Sequence, residues 1–390
     1  CMTIDVAACR ADTPACEGQA FLDNAGSALS PTAVTRTVID YLKREQEVGG
    51  YAAMDEAQDR ILAVNASAGE LVGVPVDQVA LQTSATAAWR RAFGSIPLRA
   101  GDRILTTRAE YASNVLPMLQ ASRRVGAIVE FIPDGPDGTV DPAALGAMLD
   151  ERVRVVAITH AASQNGLIVD AAGIGAVLRE SGSPAWYLLD ACQSLGQLPV
   201  DMTAIGADFI AATGRKFLRG PRGTGFLAVS PRVLAELEPV PIDMFGAAWD
   251  GDQSYELSAT ASRYQSFETS YAAVLGLGAA IDYSLALGLH NIRERINGLA
   301  TSLRAQLSEL PGVRVLDRGA EQSGIVVFSC PGDDSWDAAR ELRAKAVTVT
   351  AVTRPTNPPD VDRYGASCVL RASPHVFNTD EDLAALVAAL

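Results

Sequence analysis

The feature that most constrains this chain is an alternation of two kinds of segment between about residues 75 and 230. Short apolar runs rich in β-branched residues, such as DRILTT, VRVVAITH, AWYLLD and ADFIAAT, alternate with helical patterns such as SNVLPMLQASRR and AAGIGAVLRES. This alternation is typical of a mostly parallel sheet that is covered by helices. Several runs are apolar almost throughout, as strands buried on both faces of a sheet require. The sequence therefore predicts an α/β fold.

The pattern changes beyond about residue 265. One long helical stretch from SYAAVL to RAQLSEL is followed by short strands and a last helix, DEDLAALVAAL, which favours a smaller α+β domain. We predict an N-terminal arm over residues 1–20, a large domain over 21–262 and a small C-terminal domain over 263–390. The proline-rich segment TRPTNPPDVDRYGA is expected to form an ordered loop near the functional site, with a plain surface loop as the alternative.

Composition and charge exclude several classes of function. The formal charge of −14 argues against a nucleic-acid or anionic-membrane partner, because such partners would be repelled. No apolar run approaches the roughly 20 residues that span a bilayer, and the N-terminal residues do not resemble a secretory signal, so we expect a cytoplasmic location. The six cysteines form no CxxC pair and the chain has only three histidines, so we expect reduced thiols and no metal site.

One lysine stands out because the chain contains only three. Ligands of such folds gather where strands end, and Lys216 follows ADFIAAT directly, while Asp190 ends AWYLLD. A partly buried lysine can condense with an aldehyde cofactor, and a carboxylate can keep a pyridine nitrogen protonated. Pyridoxal phosphate needs this pair. The alternative is a surface lysine and an aspartate that caps a helix. Other residues at predicted strand ends are Glu110, Tyr111, His160 and Thr213.

A second group of residues could hold a phosphate. Thr213 and Arg215 stand just before the lysine and supply a hydroxyl and a fixed cation. The stretch TSATAAWRRAF adds Ser84 and Ala85 at a predicted helix start, where free backbone N–H groups and the helix dipole favour an anion. An ordinary helix cap is the alternative for Ser84.

From FLDNAGSALSP to VLRASPHVFNTDEDL the chain resembles the class V, fold type I, pyridoxal-phosphate enzymes, the group of cysteine desulfurases and selenocysteine lyases. The family motif D-x-x-Q followed by S/T-G-H/R-K is present at residues 190–193 and 213–216. The resemblance implies the fold type I architecture and a homodimer. It also implies that Lys216 holds the cofactor covalently, that Asp190 pairs with the pyridine nitrogen and Gln193 with the phenolic oxygen, and that the phosphate is held by Ser84, Ala85, Thr213 and Arg215.

The resemblance extends to residues around the substrate. It implies that Tyr111 in AEYASN stacks on the cofactor ring, that His160 in ITHAASQNG is a catalytic neighbour, and that Ser163 lies near the phenolic oxygen. Arg371 in VLRAS corresponds to the arginine that binds the substrate α-carboxylate, for which a planar guanidinium is suited. The alternatives are a core tyrosine, a buried histidine and a structural ion pair. The loop expected beside the same carboxylate contains Asn24 and Ala25.

Two departures from the family bear on the reaction. Cysteine desulfurases carry a nucleophilic cysteine on a loop shortly before this arginine, and the corresponding TRPTNPPDVDRYG has none. Cys330 and Cys368 are interpreted as buried small hydrophobic residues. The stretch RYQSFETSYAAVLGLGAA lacks the glycine-threonine-proline turn that reaches the partner subunit's phosphate, so Thr269, with Ser270 as alternative, is expected in that role.

The stretch EVGGYAAMDEAQDR resembles enzymes that cleave cysteine S-conjugates, such as hercynylcysteine sulfoxide lyases and lincosamide-pathway enzymes. Tyr51 is expected to face the substrate, with a surface or dimer-contact tyrosine as alternative. The predicted reaction is β-elimination from a cysteine S-conjugate, after Lys216 removes the α-proton, giving a thiol or sulfenate, pyruvate and ammonia. Decarboxylation with oxidative deamination, transamination, epimerisation, cysteine desulfuration and a degenerate cofactor-binding scaffold remain alternatives, as does the choice between thiol metabolism and secondary metabolism.

Overall fold

The computed structural model describes residues 4–390. Its strands are β1 Ala20–Phe21, β2 Val79–Gln82, β3 Arg103–Thr106, β4 Ile128–Phe131, β5 Val153–Thr159, β6 Trp186–Asp190, β7 Phe209–Thr213, β8 Gly225–Val229, β9 Ala247–Trp249, β10 Tyr255–Leu257, β11 Arg314–Val315, β12 Val326–Ser329, β13 Val347–Thr348, β14 Thr350–Ala351 and β15 Val369–Ala372.

The α-helices are α1 Val6–Ala11, α2 Asn24–Ser27, α3 Thr32–Val48, α4 Gly50–Glu56, α5 Gln58–Val72, α6 Ala85–Ser95, α7 Ala112–Val125, α8 Pro142–Met148, α9 Ala171–Glu180, α10 Met202–Ile205, α11 Pro231–Glu236, α12 Tyr271–Leu287, α13 Leu289–Ser308, α14 Ser335–Ala344, α15 Pro358–Tyr364 and α16 Asp380–Ala389. Short 3₁₀ turns cover Pro14–Cys16, Val76–Gln78, Ala261–Tyr264 and Arg354–Thr356.

A seven-stranded sheet dominates the fold, in the order β2-β8-β7-β6-β5-β3-β4. The neighbours from β4 to β7 pair in parallel, whereas β8 is antiparallel to both β7 and β2. All five residues of β6, of β7 and of β8 are buried, as their apolar runs indicate. The predicted mostly parallel central sheet is confirmed.

Helices cover both faces of this sheet. Successive side chains of a strand point to opposite faces, so Ile104 and Leu105 of β3 enter different cores. Leu105 packs in the core that α5, α9 and α12 cover, and Ile104 packs with Trp89 of α6 and Met118 of α7. The layered arrangement explains why these strands lack the alternation of a half-exposed sheet.

A second, antiparallel sheet has the order β11-β12-β15-β14 and packs against α13, α14 and α16. Ala20 and Leu22 join its core, while Cys9 and Cys16 pack with Phe377 near the other end of the chain. The N-terminal segment therefore packs on C-terminal residues. The division into 1–20, 21–262 and 263–390 stays a prediction, and α12 packs with the core of the large sheet.

The long helical stretch predicted after residue 265 is two helices. Gly288 separates α12 from α13 with a φ of +82°, a backbone conformation that glycine adopts without steric cost. Within residues 4–390 no single helix is both long enough and apolar enough to cross a membrane, and α12 with α13, bent by 82°, meets that test only as a pair.

The register of the large sheet determines where the functional residues lie. Thr159 at the end of β5 pairs with Asp190 at the end of β6, and Asp190 pairs with Ala211 of β7. Because parallel strands present their carboxyl ends at one edge, Thr159, Asp190 and Thr213 lie at the same edge of the sheet.

Candidate active site

Lys216 lies in the turn that follows β7, beside Tyr111. Its Nζ is 5.9 Å from the centroid of the Tyr111 ring. Burial lowers the pKa of the Lys216 amine, and the positive charges of Arg215 and Arg371 lower it further, against the opposing effects of Cys192 and Asp190. A lysine with a lowered pKa is more often neutral near physiological pH, so it is available as a nucleophile and as a base.

Asp190 ends β6 and is 5% exposed. Its Oδ1 accepts a hydrogen bond of 2.9 Å from the backbone N–H of Cys192, and its Oδ2 accepts one of 2.7 Å from Nδ2 of Asn114. Both protein partners are donors, so the carboxylate is held as an acceptor at the edge of the sheet. A protonated ring nitrogen is a group that such a carboxylate can bind.

The start of α6 forms a cradle for an anion. Ser84 caps this helix by accepting a 3.1 Å hydrogen bond from the N–H of Ala87, which leaves earlier N–H groups of the first turn without helical partners. Strand β8 approaches closely: a Cβ added to Gly225 would lie 2.9 Å from the carbonyl carbon of Ser84 and 3.0 Å from the N of Ala85. Only glycine fits there.

The side chains opposite this cradle come from the end of β7 and the turn after it. The hydroxyl of Thr213 donates to the carbonyl of Thr224 at 3.3 Å and faces the same pocket. The Arg215 guanidinium donates to the carbonyl of Gly26, and burial lowers its pKa. A helix N-terminus, a hydroxyl and a guanidinium together suit a phosphate dianion.

Most of the residues predicted to bind the cofactor line one pocket. The structure brings together Ser84, Ala85, Tyr111, Ser163, Asp190, Gln193, Thr213, Arg215 and Lys216.

The polar atoms of this pocket fit pyridoxal phosphate. Gln193 donates one N–H to the carbonyl of Ala25 at 3.1 Å, and its buried Oε1 has no partner within the described residues. An amine, a carboxylate held as an acceptor, an aromatic ring and an anion cradle match the aldehyde, the ring nitrogen, the ring face and the phosphate of this cofactor.

Sequence reasoning missed four lining residues, which are Thr86, Asn114, Thr159 and Cys192. Asn114 could have been found from its place in the first turn of the helix that follows Glu110 and Tyr111 at a predicted strand end. Thr159 could have been found as the residue that ends β5 beside Asp190.

Arg371 lies on β15, close to the loop that contains Asn24 and Ala25. It donates to the carbonyl of Ser163 at 3.1 Å and forms a 3.2 Å ion pair with Asp23, while its buried Nε has no partner in the described chain. Asn24 donates to the carbonyl of Ser373 at 2.8 Å, and the N–H of Ala25 donates to the Ser373 hydroxyl. The arginine thus has a structural ion pair and an unused donor at once.

Six predicted residues do not line this pocket: Asn24, Ala25 and Arg371, whose contacts are given above, and His160, Tyr51 and Thr269. His160 is buried but does not line it, because the preceding Thr159 does and successive strand side chains point to opposite faces. Burial, followed by the charge of Arg293, lowers the pKa of His160 to about 4, so it is neutral. Tyr51 on α4 is 75% exposed. Thr269 lies in the loop before α12 and lines a different cavity.

That cavity is an apolar groove of about 460 Å³ beside α5, β2 and the loop before α12. Exposed apolar side chains line it, including Leu62 at 56%, Val76 at 49% and Phe267 at 41% exposure. Thr83 lines the groove and the neighbouring Ser84 lines the lysine pocket. Adjacent residues at the start of α6 therefore line the two cavities.

The proline-rich segment, expected as an ordered loop, forms the 3₁₀ turn Arg354–Thr356 and the short helix α15, next to the lysine pocket. Asn357, which is 2% exposed, donates to the carbonyls of Arg108 and Glu110, both at 3.1 Å, just before Tyr111. Asp360, which is 1% exposed, accepts a 2.6 Å hydrogen bond from Asn165. These hydrogen bonds of two buried polar side chains hold the segment in place.

The two cysteines nearest to Arg371 in the sequence are buried together. Sγ of Cys330 lies 3.1 Å from Sγ of Cys368, and the N–H of Cys330 donates to the carbonyl of Cys368. Burial raises the pKa of both thiols, that of Cys330 to about 12. The interpretation of both residues as buried hydrophobic residues agrees with this placement.

The family model of the class V aminotransferases matches residues 20–386. The chain belongs to the class V aminotransferase family. It is accordingly an enzyme that depends on pyridoxal phosphate, with the fold type I architecture that the motifs imply. The expected family, cofactor and fold are confirmed.

The chain is similar to proteins that are named as cysteine desulfurases. A probable cysteine desulfurase of Methanothermobacter thermautotrophicus is 28% identical over 96% of this chain and 94% of its own. A cysteine desulfurase of Shigella sonnei is 29% identical over 100% of this chain and 98% of its own.

Solved structures of similar fold carry related names. The apo cysteine desulfurase of Thermococcus onnurineus has a TM-score of 0.91 at 23% identity, covering 100% of this chain and 97% of its own. A cystine C–S lyase in complex with its reaction product, cysteine persulfide, has a TM-score of 0.86 at 22% identity, covering 96% of this chain and 98% of its own. At these identities the likeness concerns the fold.

Proposed function

We propose that this class V enzyme is a carbon–sulfur β-lyase that converts a cysteine S-conjugate into a thiol or sulfenate, pyruvate and ammonia. The observation that carries the proposal is the segment over residues 353–366, which contains no cysteine and is fixed by the buried side chains of Asn357 and Asp360. A protein persulfide needs an accessible thiolate that can reach the substrate sulfur. A β-elimination needs no protein thiol.

The remaining thiols near the site do not replace such a loop cysteine. Cys330 and Cys368 are buried against each other. Cys192 lines the lysine pocket, but burial, and then the charge of Asp190, raise the pKa of its thiol. A thiol with a raised pKa is a weak nucleophile near neutral pH.

When bound, pyridoxal phosphate supplies an electron sink for negative charge at the substrate Cα. We assign the removal of the proton from that carbon to the amine of Lys216, because burial keeps its pKa low. Asp190 would hold the proton on the ring nitrogen, and Tyr111 would cover the ring face. Gln193 would donate its second N–H to the phenolic oxygen.

The other residues bind the phosphate and the substrate. Ser84 and the N–H of Ala85 would bind the phosphate together with Thr213 and Arg215. We assign the binding of the substrate carboxylate to the guanidinium of Arg371, and its Nε, which has no partner in the described chain, supports this role. Ser163 orients this arginine through its carbonyl, and Asn24 and Ala25 close the carboxylate side.

We further propose that the enzyme works as a homodimer in which a second copy covers the groove. The exposed apolar side chains of the groove favour a covering partner, and the groove and the phosphate cradle are lined by the adjacent residues Thr83 and Ser84. Thr269 would then serve the partner subunit's phosphate, and Tyr51, which lies close to Tyr271 at the start of α12, would face the partner subunit's substrate. Both roles explain why these residues lie outside their own chain's pocket.

A second candidate is cysteine desulfuration, which the names of the relatives favour. To separate the two reactions, the purified holoenzyme is incubated with free cysteine and with S-alkyl cysteines, and products are identified by mass spectrometry. The lyase predicts a thiol with pyruvate from the conjugates. Alanine with sulfide from free cysteine would overturn it, and an aldehyde with carbon dioxide would indicate decarboxylation with loss of the amine.

A further inference from the structure

Four buried side chains form a hydrogen-bonded network behind the carboxylate of Asp190. Asn114 Nδ2 lies 2.7 Å from Glu110 Oε1 and 2.7 Å from Asp190 Oδ2. The hydroxyl of Thr159 also donates to Glu110 Oε1. Glu110 is 3% exposed, Asn114 2% and Thr159 5%, so solvent does not compete for these bonds.

The direction of each hydrogen bond follows from the donors present. Glu110 Oε1 receives a backbone N–H from Tyr111 at 3.1 Å as well as the Thr159 hydroxyl, so it acts as an acceptor. Asn114 must therefore turn its amide N–H₂ group, and not its oxygen, toward Glu110. The second hydrogen of that group then points to Asp190. Every bond that Asp190 makes in this network is one that it accepts.

We propose that Asn114 and Glu110 are positioning residues that fix the Asp190 carboxylate as an acceptor for the protonated ring nitrogen of the cofactor. Glu110 orients Asn114, and Asn114 in turn fixes Oδ2 of Asp190. Thr159 supports Glu110 from the neighbouring strand. The inference rests on the proposed pairing of Asp190 with the ring nitrogen. The network holds the Asp190 carboxylate in the position that this pairing requires.

The electrostatics of Glu110 fit this role. Burial, followed by the nearby charge of Asp190, raises the pKa of Glu110 to about 7. At and below neutral pH the side chain is therefore at least half protonated, and glutamine is a close mimic of that neutral form. A glutamine would keep the acceptor oxygen that Asn114, Thr159 and Tyr111 need.

The test compares pyridoxal phosphate with an analogue in which carbon replaces the ring nitrogen. The dissociation constant of the analogue is divided by that of pyridoxal phosphate, both measured by fluorescence titration of the apoenzyme. This ratio reports the contribution of the nitrogen contact alone. We expect Asn114→Ala to lower this ratio by about tenfold and Thr159→Val by about threefold, because buried hydrogen bonds to a charged group are lost or misdirected. Glu110→Ala should resemble Asn114→Ala, whereas Glu110→Gln should keep the ratio within about twofold of the wild type.

Thr106→Val is the matched control. Thr106 ends the adjacent strand β3, is fully buried and donates to the carbonyl of Ala157 at 2.9 Å, outside the network. This variant loses a buried hydroxyl as Thr159→Val does, but it should leave the ratio unchanged. An equal fall in affinity for both ligands in Asn114→Ala, with the ratio intact, would overturn the inference and leave only a structural role.

The same measurement separates this inference from the proposed role of Asp190. A wild-type enzyme that binds both ligands equally well would refute the pairing of Asp190 with the ring nitrogen. A wild-type enzyme that prefers the natural cofactor, combined with unchanged ratios in Asn114→Ala and Glu110→Ala, would refute only the network. If Asn114→Ala does not fold, the pair Glu110→Ala and Glu110→Gln decides the question.

Discussion

The lysine pocket and the apolar groove are neighbours with opposite character. The pocket around Lys216 is the smaller of the two and is lined mainly by polar residues, and within a single chain Asn114 donates hydrogen bonds to both Asp190 and Glu110. The groove around Phe267 is larger, apolar and exposed. Buried polar groups keep partners in one chain because leaving them unpaired is costly, whereas an exposed apolar surface gains by being covered. One chain therefore accounts for the contacts of these polar side chains, whereas it leaves the apolar side chains of the groove exposed.

The largest expected effect is at the lysine itself. Lys216→Ala should abolish the visible absorbance of covalently bound cofactor and reduce turnover by about 10⁴-fold or more, because both the anchor and the base are lost. The measurement is absorbance spectroscopy with a turnover assay on an S-alkyl cysteine. Lys43→Ala is the control, since Lys43 is exposed on α3. An unchanged absorbance in Lys216→Ala would contradict the assignment of the pocket.

The sequence predicts the pocket residues that lie at or just after the ends of strands. Asp190, Thr213 and Lys216 follow apolar runs, and parallel strands bring such ends to one edge whatever the details of packing. The position of Asn114 depends in addition on where α7 begins, at Ala112, and on the turn that places it below Asp190. The motif also could not specify which side chain faces the pocket. His160 matches the family pattern, but Thr159 and not His160 lines the pocket, because successive side chains of a strand point to opposite faces.

The groove shows a different limit of sequence reasoning. Short motifs predict that Tyr51 contacts the substrate and Thr269 the cofactor. Neither residue lines the lysine pocket of its own chain. The roles proposed for them depend on how two chains pack, which no periodicity within one chain specifies. The break of the long helical stretch at Gly288 was also missed, although a glycine with positive φ is its physical cause.

The groove can be tested as a subunit interface. Phe267→Asp and Leu62→Asp should weaken association of the subunits by about 10²-fold or more, because a buried charge would replace an apolar contact at the interface. Light scattering after size-exclusion chromatography over a dilution series measures this. Trp336→Asp is the control, since Trp336 is 52% exposed on α14 and does not line the groove. A dimer of unchanged affinity in both variants would place the interface elsewhere.

The lowered pKa of Lys216 predicts how the apoenzyme captures its cofactor. The neutral amine reacts and the protonated amine does not, so the rate should fall about tenfold per pH unit below the pKa of Lys216. Because burial lowers that pKa from 10.5, the fall should begin at a lower pH than for Nα-acetyllysine under the same conditions. Stopped-flow absorbance measures both rates. A midpoint at or above that of the free amino acid would show that the amine is not desolvated as the pocket implies.

The smallest expected effect decides whether the pocket is complete in one chain. Thr269→Val should weaken cofactor binding by about fivefold, the loss of one hydrogen bond to a phosphate, and Ser270→Ala should have no effect unless Ser270 is the donor instead.

A mixed dimer shows which subunit Thr269 serves. One subunit carries Lys216→Ala and the other Thr269→Val, so only the second can bind the cofactor covalently. If Thr269 reaches across the interface, that site receives an intact threonine from its partner and binds the cofactor as tightly as the wild type does. If Thr269 acts within its own chain, the same site keeps the fivefold defect, and the groove would then have no part in the cofactor site.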